Sequence, residues 1–165
     1  MLQIASATTT KLIGILASSG GIAGALAALS SQQGLVLPAI TRHQIIAQNV
    51  APELSERSTV SQYPLTYVYC SKMVNDLREK FRKFSGEVQM VVETRVSQDR
   101  LEQIETHLQA YIDAITGVLD NSRGDWGDGV FYGGGYEVAF GSVKQGGRNF
   151  IQIAKVSFAV EISTD

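Results

Sequence analysis

Between Gly86 and Asp120 the hydrophobic period changes once, and that change dictates a strand followed by a long helix. From Gly86 to Ser97, Val88, Met90, Val92 and Val96 alternate with Glu87, Gln89, Glu93 and Arg95. Period two with one polar face is the signature of a half-buried strand. From Ser97 to Asp120 the apolar residues Leu101, Ile104, Leu108, Tyr111, Ile112, Ile115 and Leu119 advance mostly by three or four. That spacing lays one apolar stripe along a helix. Asp99 stands three residues before Glu102, the arrangement of a capping box, so the helix is expected to start there. Asp120-Asn-Ser-Arg-Gly124 is expected to end it.

A strand with one apolar face and a helix with one apolar stripe must bury those surfaces on something. Three more strands are predicted. Leu65–Cys70 is rich in Tyr, Val and Thr, which suit a pleated surface. In Tyr136–Val143 the residues Tyr136, Val138 and Phe140 share a face. In Phe150–Ile162 the residues Ala154, Val156, Phe158, Val160 and Ile162 share one, opposite Lys155, Ser157 and Glu161. Lys144-Gln145-Gly146-Gly147-Arg148 is expected to be a hairpin loop, because a glycine pair supplies the positive φ such turns need. Ser71–Phe84 reads as a charged linking segment, and Asp125–Gly135 as a glycine-rich loop around Trp126. The expected fold is α+β: an antiparallel sheet of about four strands, with N-terminal helices and one long helix packed on one face. A single domain spans 1–165, divided into a helical segment 1–34, an arm or loop 35–62, and the sheet with the long helix over 63–165.

The first 34 residues superficially resemble a signal peptide or a packed membrane helix, since no charge lies between Lys11 and Arg42 and Gly20 and Gly24 have the GxxxG spacing. Ser18-Ser19-Gly20-Gly21 interrupts the run, and a spanning helix wants about 20 predominantly apolar residues. Two short helices fit better. Thr8–Thr10 is expected to cap the first, with Leu12, Ile13, Ile15 and Leu16 on its apolar face. Ile22, Leu26 and Leu29 line the second, with Gly34 just past its end. Ile40, Ile45, Ile46 and Val50, between Pro38 and Pro52, could line a short helix or an extended arm. Glu53–Gln62 is polar and reads as loop.

Chemistry-bearing patterns are sparse. His43 and His107 are the two histidines and lack metal spacing; His107 is expected at the surface. Cys70 stands alone, which excludes a disulfide framework and fits a small buried hydrophobe. Gly133–Gly135 and Gly146-Gly147 precede or join strands, whereas a phosphate loop opens a helix. Asp125 and Asp128 flank Trp126-Gly127. Two acids beside an aromatic could bind a cation or sugar, but turn capping by the acids and packing by Trp126 explain them more simply. Arg78, Lys80, Arg82 and Lys83 are mixed with Asp76 and Glu79, as on an ordinary solvated face. A formal net charge of −2 supplies no bulk attraction to nucleic acid or anionic membrane. No catalytic residue, cofactor site or metal site is expected.

The layout resembles phage tail-terminator (tail-completion) proteins. The matching pieces are the helical Lys11-Leu-Ile-Gly-Ile-Leu-Ala-Ser-Ser-Gly-Gly-Ile-Ala-Gly-Ala-Leu26, then Tyr63-Pro64-Leu-Thr-Tyr-Val-Tyr69, the strand Gly86–Ser97, the long helix, and Tyr132-Gly-Gly-Gly-Tyr136-Glu-Val leading to Phe150-Ile-Gln-Ile-Ala154. Residues 35–62 are longer than that pattern expects. The resemblance implies a homo-hexameric ring in the virion neck, assembled in the host cytoplasm. The ring would sit on the tail tube protein, stop its polymerisation, and face the head-side connector or stopper protein. It would touch the sheath in a contractile tail and let double-stranded DNA pass. Lys144, Gln145, Gly146, Gly147 and Arg148 are the expected subunit contacts. Another neck component (a stopper or head-completion protein), a tail tube protein, and a small ligand-binding enzyme subunit using Asp125 and Asp128 are the alternatives.

Overall fold

The computed structural model describes residues 3–51, 54 and 63–165; the expected loop over 53–62 lies, apart from residue 54, outside them. Two N-terminal helices, α1 (Ile4–Leu16) and α2 (Ile22–Gln33), are separated at Ser18–Gly21. Gly21 is needed at that break, because a Cβ there would stand 2.2 Å from the Leu16 carbonyl oxygen. Gly34 closes α2 in the left-handed region, φ 64°, where glycine carries no Cβ penalty. Thr8–Thr10 does not cap α1. The helix starts at Ile4, and the three hydroxyls donate 2.8–2.9 Å bonds to the carbonyls of Ile4, Ala5 and Ser6 inside it. A threonine can satisfy its hydroxyl on the preceding turn as well as at a cap.

The strands are β1 (Ile45–Ile46), β2 (Leu65–Asn75), β3 (Phe84–Gln98), β4 (Gly124–Gly127), β5 (Val130–Tyr132), β6 (Glu137–Phe140), β7 (Lys144–Gly146) and β8 (Asn149–Thr164). The long helix α3 (Ile104–Asn121) joins β3 to β4. The fold is α+β, but the sheet is neither four-stranded nor wholly antiparallel. It has eight strands in the order β1-β2-β3-β8-β5-β4, with β6 and β7 also on β8. β1 pairs parallel to β2. The remaining pairs are antiparallel. β8 pairs with β3 from Phe150 to Thr164 on one side. On its other side it carries β7, β6 and β5 in tandem.

Several expected boundaries move, and the strand expected over Tyr136–Val143 forms only over Glu137–Phe140. The segment read as a link from Ser71 continues β2 to Asn75. A bulge between Cys70 and Lys72 shifts the register, so the alternation that marks a strand is lost in the sequence. The long helix starts at Ile104, not at Asp99; Gln103 precedes it with φ 66° and makes no side-chain cap bond. β3 runs on to Gln98, and the next five residues turn the chain from strand to helix. The loop around Trp126 contains the β4–β5 hairpin.

Helices and sheet share one apolar cluster, in which Leu12, Leu16, Val68, Val88, Met90, Leu108, Ile115, Val156 and Val160 are nearly or wholly inaccessible. Ala39–Ala51 is neither a helix nor a free arm. Ile40 and Ile45 are buried in the cluster, a single 3-10 turn spans Arg42–Gln44, and Tyr111 Oη donates a 2.8 Å bond to the Pro38 carbonyl.

Candidate assembly surface

The expected contact segment, Lys144–Arg148, is a hairpin, but only Gly147 and Arg148 form its turn. Lys144, Gln145 and Gly146 pair with Ile151, Phe150 and Asn149. Gly147 has φ 68°, as the first central residue of a two-residue II′ hairpin requires. Lys144, Gln145, Gly147 and Arg148 are exposed. Because β3 pairs with β8 as far as Phe150, the tip forms a short lip on the sheet, not a long arm.

Beside the lip, β6 is held to β8 on one side and has no strand on its other side among the described residues. Its Phe140 and the neighbouring Tyr136 are 46% and 40% exposed. The expected apolar face of Tyr136, Val138 and Phe140 therefore exists, but it is open to solvent with only Val138 half-buried. Isolated exposed apolar residues need no explanation, and an open strand edge leaves backbone groups with which another strand can pair.

The Asp125–Asp128 loop is occupied with structural work. Asp125 Oδ1 accepts the Gly127 N–H at 2.7 Å. Asp128 pairs with Lys11 of α1 at 2.7 Å; that hydrogen bond, and then the lysine charge, hold its carboxyl below the usual range. Trp126 Nε1 donates to the Ser122 carbonyl at 2.7 Å. The indole lies 5.5 Å from the Tyr132 ring, which lies 5.1 Å from Phe158. Behind Lys11 an open groove of about 840 Å³ runs between α1 and the end of β8, touching Gln3, Ser6, Thr10 and Arg82.

In the basic cluster the two arginines face carboxylates, whereas the exposed Lys80 and Lys83 make no ion pair among the described residues. Arg78 reaches Asp76 at 2.9 Å and Glu87 and Glu161 at 3.5 Å, and Arg82 reaches Asp165 at 2.7 Å and Glu79 at 3.3 Å. Cys70 is half-buried instead of enclosed, and burial pushes its thiol up. His43 is exposed. His107 is half-buried, not at the free surface, with Nδ1 against the Gln98 amide. No group of three or more potential metal ligands occurs among the described residues, and no described helix is long and apolar enough to cross a membrane.

For one feature the sequence shows the face but not the burial. Glu93 and Arg95 lie on the polar side of β3, yet they are 4% and 1% exposed. Arg95 Nε donates to Glu93 Oε2 at 2.7 Å. The guanidinium sits 4.2 Å over the Tyr67 ring and also meets the Val50 carbonyl. Lys155 approaches Glu93 at 3.4 Å. Tyr67, paired with Glu93 across β2 and β3, is the sequence signal: an aromatic beside an alternating Glu-x-Arg can cover it by cation–π contact.

No protein-family model matches the chain, and a search of curated proteins found no match.

Proposed function

We propose that this chain is a structural virion protein whose copies close into a ring that caps a phage tail tube and joins it to the head-side connector. The observation that carries the reading is the open flank of the sheet: β6 with the exposed Phe140 and the preceding Tyr136, next to an exposed lip bearing Lys144, Gln145 and Arg148. An exposed edge is a liability in a monomer unless it is guarded or used. A head-to-tail contact between such edges makes a ring if the rotation closes and a filament if it does not. The number six comes from the resemblance to tail terminators, as do the tube, the connector and, in a contractile tail, the sheath as partners.

In this reading double-stranded DNA passes through the ring without being held. Tight binding needs clustered cations that release counterions, and Arg78 and Arg82 already face carboxylates. Filter binding at physiological salt should show weak association only. The ring is tested in the phage with Lys144→Ser, Gln145→Ser and Arg148→Ser combined, leaving Gly146 and Gly147 to keep the turn. The expected result is tails of uncontrolled length or heads that fail to join, with an unchanged melting temperature of the purified domain. Normal joining would remove the lip from the contact. Long tubes of the purified native chain in electron micrographs would make it a tail tube protein instead.

A further inference from the structure

We infer that the contact between copies is one continuous sheet, in which the open β6 edge of one copy adds to the open β2 edge, Ser71–Asn75, of the next. The inference rests on the ring reading and specifies its interface. β1 covers β2 only at Thr66 and Tyr67. Beyond it, residues 71–75 are all exposed, Met73 and Val74 at 40% and 41%. Among the described residues no strand pairs with this part of β2 on the side away from β3. The two open edges therefore lie at opposite flanks of the β2-β3-β8-β6 stretch of the sheet.

Strand polarity fits. β2, β3, β8 and β6 alternate in direction, each antiparallel to the last. A rotation about an axis along the strands preserves direction, so β6 of one copy meets β2 of the next antiparallel, and the alternation continues across the boundary. The side chains fit as well. The register places Met73 opposite Val88, on the helix-bearing face, and Lys72 opposite Gln89, on the other. It places Val138 and Phe140 opposite Val156 and Ala154, on the helix-bearing face, and Glu137 opposite Ser157, on the other. Lys72 and Glu137 thus share a face, and so do Met73 and Phe140, with Tyr136 preceding β6 in the same alternation. Setting Lys72 opposite Glu137 brings Met73 opposite Tyr136, a thioether against an aromatic ring.

Charge selects this pairing over its symmetric rivals. Lys72 and Glu137 are exposed, and neither has an ion-pair partner among the described residues. In a two-fold β2–β2 contact Lys72 would approach its own copy, and in a β6–β6 contact Glu137 would. Like charges across a strand pair destabilise it, and opposite charges stabilise it. An edge lysine that guards against its own kind thereby selects the unlike edge.

The test is charge reversal on the full chain, read by sedimentation over a concentration series. Lys72→Glu and Glu137→Lys should each weaken association about threefold to tenfold per contact, and the double reversal should restore it. Circular dichroism melts of the four proteins should coincide, since both side chains are exposed. If the native chain associates and neither single change matters, the edge contact is wrong while the ring reading stands. If the native chain stays monomeric at the highest soluble concentration, the edge contact is also overturned, and tail morphology in the phage still decides the ring.

Discussion

On β3, Val88, Met90 and Val92 are wholly inaccessible beneath the helices. On the opposite face of the same strand, Glu93 and Arg95 are almost as inaccessible, but their neighbours are an aromatic ring, a lysine and a backbone carbonyl. The two faces reach similar burial by different physics. Hydrocarbon against hydrocarbon gains with the area removed from water. A buried ion pair gives up hydration and recovers it only through its partners, so it is weak evidence for stability and a large hazard when half-removed.

The largest effect follows from that hazard. Arg95→Ala should cost about 3–5 kcal/mol, because it leaves Glu93 buried without its short partner, with the partly exposed Lys155 at 3.4 Å and the Tyr69 hydroxyl at 3.5 Å as its remaining neighbours. Arg95→Met combined with Glu93→Leu should recover most of the loss in denaturant unfolding. If the double variant is as unstable as the single, the polar face is held by more than its charges, and the contrast between faces fails.

Next comes the apolar face. Leu108 is inaccessible on α3, and Leu108→Ala should cost about 2–5 kcal/mol. Glu105 is exposed on the first turn, and Glu105→Ala should stay within about 0.5 kcal/mol. Equal losses in paired melts would mean that the helix phase is wrong.

These two sites also show what could be read in advance. The α3 stripe and the inward residues of β3 and β8 were legible, because each repeats one period over many residues and faces one layer. The buried Glu93–Arg95 pair was not, because alternation reports polarity, and burial of the polar face depends on Tyr67 and on the arm around Val50, far away in sequence. The β2 edge was hidden by one bulged residue that changes the face of everything after Cys70. In the glycine-rich stretch, strands of three or four residues are too short to show a period. The hairpin at Lys144–Arg148 was located correctly, but not the shortness of its turn, since the pairing of Lys144, Gln145 and Gly146 with β8 cannot be read locally.

A smaller effect separates hydrogen bonding from charge. Tyr111 is buried, and burial raises its hydroxyl from 10.0 to about 12. A raised acid favours the protonated fold, so its contribution is complete below pH 10 and is lost as pH climbs toward 12. Tyr111→Phe should cost about 1 kcal/mol at neutral pH by removing the bond to Pro38. The variant should also lose stability less steeply between those two pH values. An unchanged alkaline slope would show that the hydroxyl is already open to solvent.

The smallest effect is expected at an exposed ion pair, Lys11–Asp128, and it completes the comparison with Arg95–Glu93. Both pairs are short, but the Asp128 side chain is 87% exposed, whereas the Glu93 side chain is 6% exposed. Exposed pairs contribute little, because water already solvates the separated charges and salt screens them. The Asp128 carboxyl is held down by its bond to Lys11 and then by the lysine charge. Its contribution is therefore present above the ordinary carboxylate range and disappears as pH falls through the depressed value. Asp128→Asn should leave the neutral-pH melt nearly unchanged and slightly flatten the acid limb. In about 1 M salt, where the screening length is about 3 Å, even that difference should vanish. The loss on Arg95→Ala should persist in the same salt, because ions cannot enter between the β3 pair and its cover. If both variants respond to salt alike, the polar face of β3 is more open than its exposure indicates, and the arm around Val50 would be a loose cover instead of a fixed layer.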